Sequence, residues 1–225
     1  PVAGLDTGIC FVMVEASAER TFVTTLGAER QISVASLATS RPLAGDLVCV
    51  SGYSLALQST RDPLLAWLPT LDEGVLIVLD PGAAFAGLDE QTRSTMLSLT
   101  DVWTGNAEES EALTGQAAMA QAAQAALEYL PPGAVAIVRD GDAGCAVAGA
   151  GPTTTVPGFP QKAVDTNGAG DTHTGALVAA RALGDDWVEA ARRANAAAAI
   201  KVTRPGPDTA PTRAEVDEFL AAHPS

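Results

Sequence analysis

Asp165-Thr166-Asn167-Gly168-Ala169-Gly170-Asp171 leads directly into an apolar helical stretch, Asp171–Leu183, that stops at Gly184. Gly168 and Gly170 have no Cβ, so the chain can take positive φ there and a ligand can come close to the backbone. The N–H groups of Ala169, Gly170 and Asp171 then fall at a helix N-terminus, where no carbonyl of the helix partners them. The helix dipole adds to these donors, and the result is an anion hole. Asp171 puts a carboxylate in the same turn, able to accept the proton of an attacking hydroxyl. Donors for a migrating phosphate beside an acceptor for that proton suit phosphoryl transfer. The plainer alternative is a glycine-rich turn with Asp171 as a helix cap.

Working outward, the stretches Asp46–Ser51, Val75–Asp80, Asp101–Thr104 and Ala134–Arg139 are short and almost continuously apolar. Such runs suit strands buried on both faces of a parallel sheet. Helical stretches lie between them, at about 60–72, 88–98 and 107–130. The alternation predicts a doubly wound α/β fold: a mostly parallel central sheet flanked by helices, with right-handed crossovers. The glycine string belongs at the carboxyl ends of those strands. After Gly144 the chain reads as strand, loop and strand up to Pro160. Trp187–Val202 is an Ala-rich helix, and Thr212 with Glu215 forms a capping box opening a terminal helix to Ala222.

Toward the start, Gly8–Val14 and Arg20–Thr25 read as two strands joined by a polar turn, Glu15–Glu19. One hairpin is an element of a small sheet rather than a domain. Residues 1–27 are therefore read as a small β unit, and 28–225 as one α/β core. The folded pattern is already under way at Pro1, so further residues are expected upstream.

The aromatic share is only 4%, so Ala, Val and Leu must fill the core. A formal net charge of −14 argues against nucleic acid or an anionic membrane as partner. It leaves room for a local phosphate site built from backbone N–H groups. Cys10, Cys49 and Cys145 have neither CxxC nor zinc spacing and are expected as reduced, packed thiols of a cytoplasmic protein. No apolar run approaches the roughly 18 residues of a membrane span. No GxGxxG follows the first strand, which disfavours hydride transfer on a Rossmann sheet.

Asp165–Asp171 resembles the C-terminal signature of ribokinase-like (PfkB-type) carbohydrate and nucleoside kinases. The surroundings agree in order and spacing. Ala194-Asn195 followed by four alanines, then Val202-Thr203-Arg204-Pro205-Gly206, is similar to the family's Asn/Ala-rich helix and VTRxG turn. Asn106-Ala107-Glu108-Glu109 is similar to its NxxE, and Asp140-Gly141-Asp142-Ala143-Gly144 to its nucleotide-binding GxxG turn. Arg20-Thr21 through Gly27-Ala28-Glu29 resembles the end of its lid hairpin, which implies that residues 1–27 are part of a β lid and 28–225 an α/β nucleotide-binding kinase core.

The resemblance implies ATP-dependent phosphorylation of a hydroxymethyl group of a sugar or nucleoside. Asp171 would be the base, and Gly168, Ala169 and Gly170 the anion hole. Asn106 and Glu109 would organise Mg²⁺ and its water, and Arg139, Gly141 and Gly144 would border the nucleotide. Asn195 would line the adenine pocket. Asp165, Asn167, Lys201, Arg204, Gly206 and Ala210 fall where the family often binds a monovalent cation such as K⁺, largely through backbone carbonyls. Lids of two copies would meet across a homodimer. Taken alone, Asn106 also reads as an N-cap, the two glycines as a hairpin-type turn, and Asn195 as a polar residue on a helix.

The chain departs from the family pattern in places. His173 stands where Phe is usual; alone, such a histidine reads as a packing or surface residue. Ala210 stands where Ser is frequent, which puts K⁺ dependence in question. The residues by which the family selects its sugar or nucleoside are not among these 225. A catalytically silent ligand-binding or regulatory protein on the same fold is the rival reading. Asp171 together with both glycines favours the kinase, and a pyrimidine-precursor kinase would usually carry Cys in place of that Asp.

Overall fold

The computed structural model describes residues 2, 4–14 and 20–224. The turn expected at Glu15–Glu19 lies outside the described residues. Among them the strands are β1 (Cys10–Val14), β2 (Arg20–Thr24), β3 (Leu47–Ser51), β4 (Leu76–Asp80), β5 (Val102–Asn106), β6 (Val135–Arg139), β7 (Gly144–Ala148) and β8 (Thr154–Pro157). The helices are α1 (Val34–Leu37), α2 (Gln58–Trp67), α3 (Glu90–Ser98), α4 (Ala107–Thr114), α5 (Met119–Ala126), α6 (Ala169–Ala182), α7 (Trp187–Lys201) and α8 (Arg213–Ala222).

Six strands form one sheet in the order β3-β4-β5-β6-β7-β8. The first four run parallel, and β7 and β8 turn back antiparallel. Successive side chains of a strand point to opposite faces, so an unbroken apolar run can feed two cores at once. Ile77 and Leu79 join Trp103 and Ala136 on one face, under Leu64 and Trp67 of α2, Met96 of α3 and Ala126 of α5. Val78, Val102 and Ile137 face the other way, against Leu177 and Ala180 of α6 and Ala190, Ala191 and Ala194 of α7. The two faces are covered by different routes. Crossovers between neighbouring parallel strands lay α2 to α5 on the first face. The second is closed only after the antiparallel β7–β8 return, by α6 and α7, with Val216 and Leu220 of α8 packed on Ala196 and Ala197.

The helix expected over 107–130 is two helices. Gly115 adopts φ +72° and caps α4, and its N–H returns to the Glu111 carbonyl at 2.7 Å. A left-handed residue ends a helix, and glycine takes that conformation without a Cβ clash. The capping box at Thr212 and Glu215 forms as read from the sequence. Of the three thiols only Cys145 is buried, whereas Cys10 and Cys49 are exposed, so the expectation of three packed cysteines fails for two of them.

β1 and β2 pair antiparallel, with Phe11 opposite Val23 and Val12 opposite Phe22. They form a separate two-stranded sheet. Both of its faces carry exposed apolar side chains, Phe11 at 68% and Phe22 at 55% accessibility among them. Its root is clamped by Glu29, whose carboxylate accepts the Gly8 N–H at 2.7 Å and the Gly27 N–H at 3.0 Å. Those donors hold the Glu29 carboxyl below the usual carboxylate range.

Candidate active site

β4, β5 and β6 end side by side, and their last residues are Asp80, Asn106 and Arg139. Arg139 is the hub of this corner of the sheet. The residue is almost fully buried, at 8% accessibility. Nη1 donates to the Gly170 carbonyl at 2.9 Å and to Thr174 Oγ1 at 3.4 Å. Nη2 donates to the Thr104 carbonyl at 3.0 Å and to both Asp80 oxygens at 3.4 Å, with Glu109 Oε2 at 3.8 Å. Thr174 donates to Asp80 at 2.7 Å, closing the network. A planar fork of fixed N–H groups suits this task better than a point charge. Arg139 therefore ties the first turn of α6 to the ends of β4 and β5. Its Nη donors are held by protein, and its Nε is buried without a hydrogen-bond partner among the described residues.

α6 begins at Ala169, so Asp171 is its third residue and not its cap. Gly168 is the N-cap, at φ +77° and with no side-chain capping bond. The Ala169 N–H turns back onto the Thr166 carbonyl at 3.2 Å. Among the described residues no acceptor faces the N–H groups of Gly170 and Asp171. Of the three N–H groups that the sequence reading offered to an anion, that of Ala169 is thus already taken, which leaves those of Gly170 and Asp171. A Cβ on Gly170 would stand 3.0 Å from Arg139 Nη1, so the strut presses directly on this turn. The Asp171 side chain is exposed.

A cleft of about 570 Å³ opens over these strand ends. It brings together Asn106, Glu109, Arg139, Gly141, Gly144, Ala169, Gly170, Asp171 and Asn195 from the sequence reading. Gly168, Asp165, Asn167, Lys201, Arg204, Gly206 and Ala210 lie outside its lining. Asp171 and Gly168 also border a second cavity of about 490 Å³ along the outer side of α6, which Ala210 lines as well. Asp80, Thr174, Tyr53 and Phe159 were missed by the motif reading. Asp80 had a visible signal, a carboxylate closing the buried run Val75–Asp80.

Asn106, the N-cap of α4, and Glu109, the third residue of that helix, form a capping box and both line the cleft. Asn106 Oδ1 accepts the Glu109 N–H at 2.8 Å, and Glu109 Oε2 accepts the Asn106 N–H at 2.8 Å. Burial pushes the Glu109 carboxyl up, opposed by the Asn106 N–H and the Arg139 charge. Glu109 Oε1 accepts nothing among the described residues, and there no group of three His, Cys, Asp or Glu could hold a metal. Any divalent ion here would depend on ligand oxygens for most of its coordination, as Mg²⁺ on phosphates does.

Gly141 and Gly144 take φ +54° and +98°. A Cβ on Gly144 would collide with the Val156 carbonyl, and one on Gly158 with the Asp142 carbonyl. These glycines let β7 and the end of β8 cross in contact to form one wall of the cleft.

Asn195 is buried and braces that wall. Its Nδ2 donates to the Val156 and Pro157 carbonyls at 3.1 Å each. Its Oδ1 therefore faces His173, whose Nε2 donates to it at 3.1 Å. This assigns the tautomer from the network. His173 Nδ1 is left buried without a partner. Burial, with the Arg139 charge nearby, takes the ring down to about 3. Burial likewise pushes the Cys145 thiol up to about 12.

In the segment expected to take a monovalent cation, Asp165 receives the Asn167 N–H at 2.9 Å and the Gly206 N–H at 3.0 Å on its carboxylate. Arg204 pairs with Glu215 and donates to the Thr209 carbonyl. Lys201 has 0% accessibility, and its Nζ donates to the carbonyls of Asp165 at 3.3 Å and Arg204 at 3.5 Å. Two of the carbonyls expected to face a free cation face this ammonium. The residues present do not fit K⁺.

The sequence profile of the pfkB family carbohydrate kinases matches residues 2–213. This chain is a member of the pfkB family. A ribokinase of Haemophilus influenzae is 34% identical over 226 residues, covering 95% of this chain and 69% of that protein. An uncharacterized sugar kinase of Escherichia coli K12 is 31% identical, covering 97% and 67%. A putative ribokinase II from E. coli, solved in complex with ATP and Mg²⁺, is 27% identical with a TM-score of 0.82, covering 98% and 72%. A fructokinase from Vibrio cholerae O395, solved with fructose, ADP and calcium, is 26% identical with a TM-score of 0.78, covering 94% and 73%. The α/β fold of this pfkB chain is accordingly ribokinase-like. No helix among its described residues is long and apolar enough to cross a membrane.

The buried imidazole sets a pH dependence. Unfolded, His173 binds its proton below about 6.5, whereas folded it stays neutral down to about 3. Between those values the unfolded chain holds the extra proton, so stability falls as pH drops, by up to about 1.4 kcal/mol per unit. The only other histidine, His223, is exposed. Urea midpoints of His173→Gln should therefore vary less than those of the parent between pH 7 and about 4.5. Equal slopes would contradict a neutral buried ring.

Proposed function

We propose that this chain transfers the terminal phosphoryl group of ATP to a hydroxymethyl group of a sugar or nucleoside. The observation that carries the reading is the pair of unpartnered N–H groups, Gly170 and Asp171, beside the exposed Asp171 carboxylate at the strand ends. Membership of the pfkB family supports it, as does the ATP and Mg²⁺ bound by the E. coli putative ribokinase II.

The cleft between the Gly141–Gly144 turn, the Asn195-braced wall and α6 takes the nucleotide. Its phosphates run toward the N-terminus of α6, where backbone donors and the helix dipole meet the charge. In the transition state, charge on the phosphoryl oxygens is met by the Gly170 and Asp171 N–H groups, held rigid from behind by Arg139. The acceptor hydroxyl approaches Asp171, which takes its proton as the oxygen bonds to phosphorus and the bond from phosphorus to the bridging oxygen breaks, so that ADP leaves with that oxygen. Glu109, by Oε1, and Asn106 would hold Mg²⁺ and its water; when bound the ion neutralises phosphate charge. Hairpin β1–β2 serves as a lid over the cleft, and its apolar faces are covered by the hairpin of a second copy.

Two substitutions separate base from anion hole. Asp171→Asn should lower kcat by roughly 10²–10⁴-fold with little change in KM for ATP, because the side chain serves the acceptor. Gly170→Val should also stop turnover, by pushing into Arg139 and the phosphate path. A folded Asp171→Asn variant turning over at the parental rate would reduce Asp171 to a helix residue and advance the silent-binder reading. Sedimentation equilibrium at micromolar concentration should give a dimer, and Phe11→Ser with Phe22→Ser a monomer. A parental monomer would overturn the lid pairing.

A further inference from the structure

We infer that Lys201 is this protein's built-in monovalent cation, so that the α6 anion hole works without added K⁺. The inference rests on the kinase reading for its catalytic arm only.

A fully buried ammonium is costly unless its N–H groups find acceptors. Lys201 is the last residue of α7 and has 0% accessibility, where a lysine ending a helix would ordinarily reach water. Its Nζ is instead turned inward, onto the carbonyls of Asp165 and Arg204 at 3.3 and 3.5 Å. These carbonyls come from two separated segments that the Asp165 carboxylate already binds together through Gly206 N–H at 3.0 Å. The ammonium thus does what a bare cation would do, drawing backbone oxygens of both segments around one positive charge. It differs in being tethered, so it has no binding equilibrium to satisfy.

The charge lies under the catalytic turn. A Cβ built on Gly168 would stand 3.7 Å from Lys201 Cε and 3.2 Å from the Pro207 carbonyl. Gly168 is the N-cap of α6, so Lys201 adds to the positive field at the end where phosphate is received. A second cation in the same niche would face Lys201 at close range in a low dielectric and be repelled. Ala210 has no side-chain oxygen to offer one.

Lys201 is a positioning residue, and selective response to K⁺ separates that role from plain packing. Melting of the whole chain is compared in tetramethylammonium chloride and in KCl, each at about 0.1 M so that screening is equal. The parent should melt at the same temperature in both, because nothing binds that K⁺ could add. Its turnover should be equal as well. Lys201→Met keeps the stem without the charge. It should melt lower in tetramethylammonium, lose roughly tenfold or more in kcat, and regain stability selectively in KCl as the ion enters the vacated niche. Selective stabilisation of the parent by KCl would overturn the inference. So would a Met variant that melts and turns over like the parent without K⁺, or one that KCl fails to stabilise selectively. Should the Met variant not fold in either salt, the parent's response alone decides. Because melting needs no substrate, a chain that phosphorylates nothing would sink the kinase reading and leave this test standing.

Discussion

One buried guanidinium holds together the corner of the sheet on which the proposed chemistry depends. Arg139 ends β6 and reaches α6 and the ends of β4 and β5, through the Gly170, Thr104 and Asp80 groups it binds. Burying such a charge is costly unless its donors are matched; here both Nη groups are matched while Nε is buried without a partner among the described residues, and removing a partner such as Asp80 would add to that desolvation cost. The network therefore does more for geometry than for net stability. It holds the first turn of α6 at one height above the sheet, with two backbone donors aimed into the cleft. Preorganised donors act on developing charge without having to reorient during reaction.

Two further buried polar groups brace the same helix from other sides. His173, two residues past Asp171, holds Asn195 and through it the end of β8. Lys201 holds the loop that feeds into Gly168. Each is a polar side chain in an interior otherwise filled largely by Ala, Val and Leu. With so few aromatic residues, close Ala–Ala packing of α6 on α7 brings the two helices near enough for these links to reach. The small side chains of the core and the polar struts of the site are thus two consequences of one composition.

Much of this was legible in the sequence where a local rule is also a global one. The runs Val75–Asp80 and Ala134–Arg139 read as doubly buried strands because a parallel sheet leaves no face for polar alternation. Thr212 and Glu215 read as a capping box because both partners lie within one turn. The glycine turn that opens α6 was readable from Gly168 to Asp171, though not that the Ala169 N–H would be taken by Thr166. What stayed hidden depended on long-range placement. Nothing local distinguishes Arg139 from a strand-ending surface arginine; its partners are 31 to 59 residues away. Lys201 looks like a helix-terminal lysine facing water, and only the return of Arg204 and Asp165 onto it shows otherwise. Within 107–130, the alanines on either side of Gly115 favour helix throughout, so the left-handed break was masked by propensity.

The most direct measurement is a crystal structure of the whole chain with Mg²⁺ and a non-hydrolysable ATP analogue. The terminal phosphate is expected within about 3.2 Å of the Gly170 and Asp171 nitrogens, the ordinary reach of an N–H donor. The Asp171 carboxylate should face the open side of that phosphorus, and the adenine should lie against the Gly144 and Asn195 wall. A nucleotide bound elsewhere, or one whose phosphates turn away from the start of α6, would contradict the account.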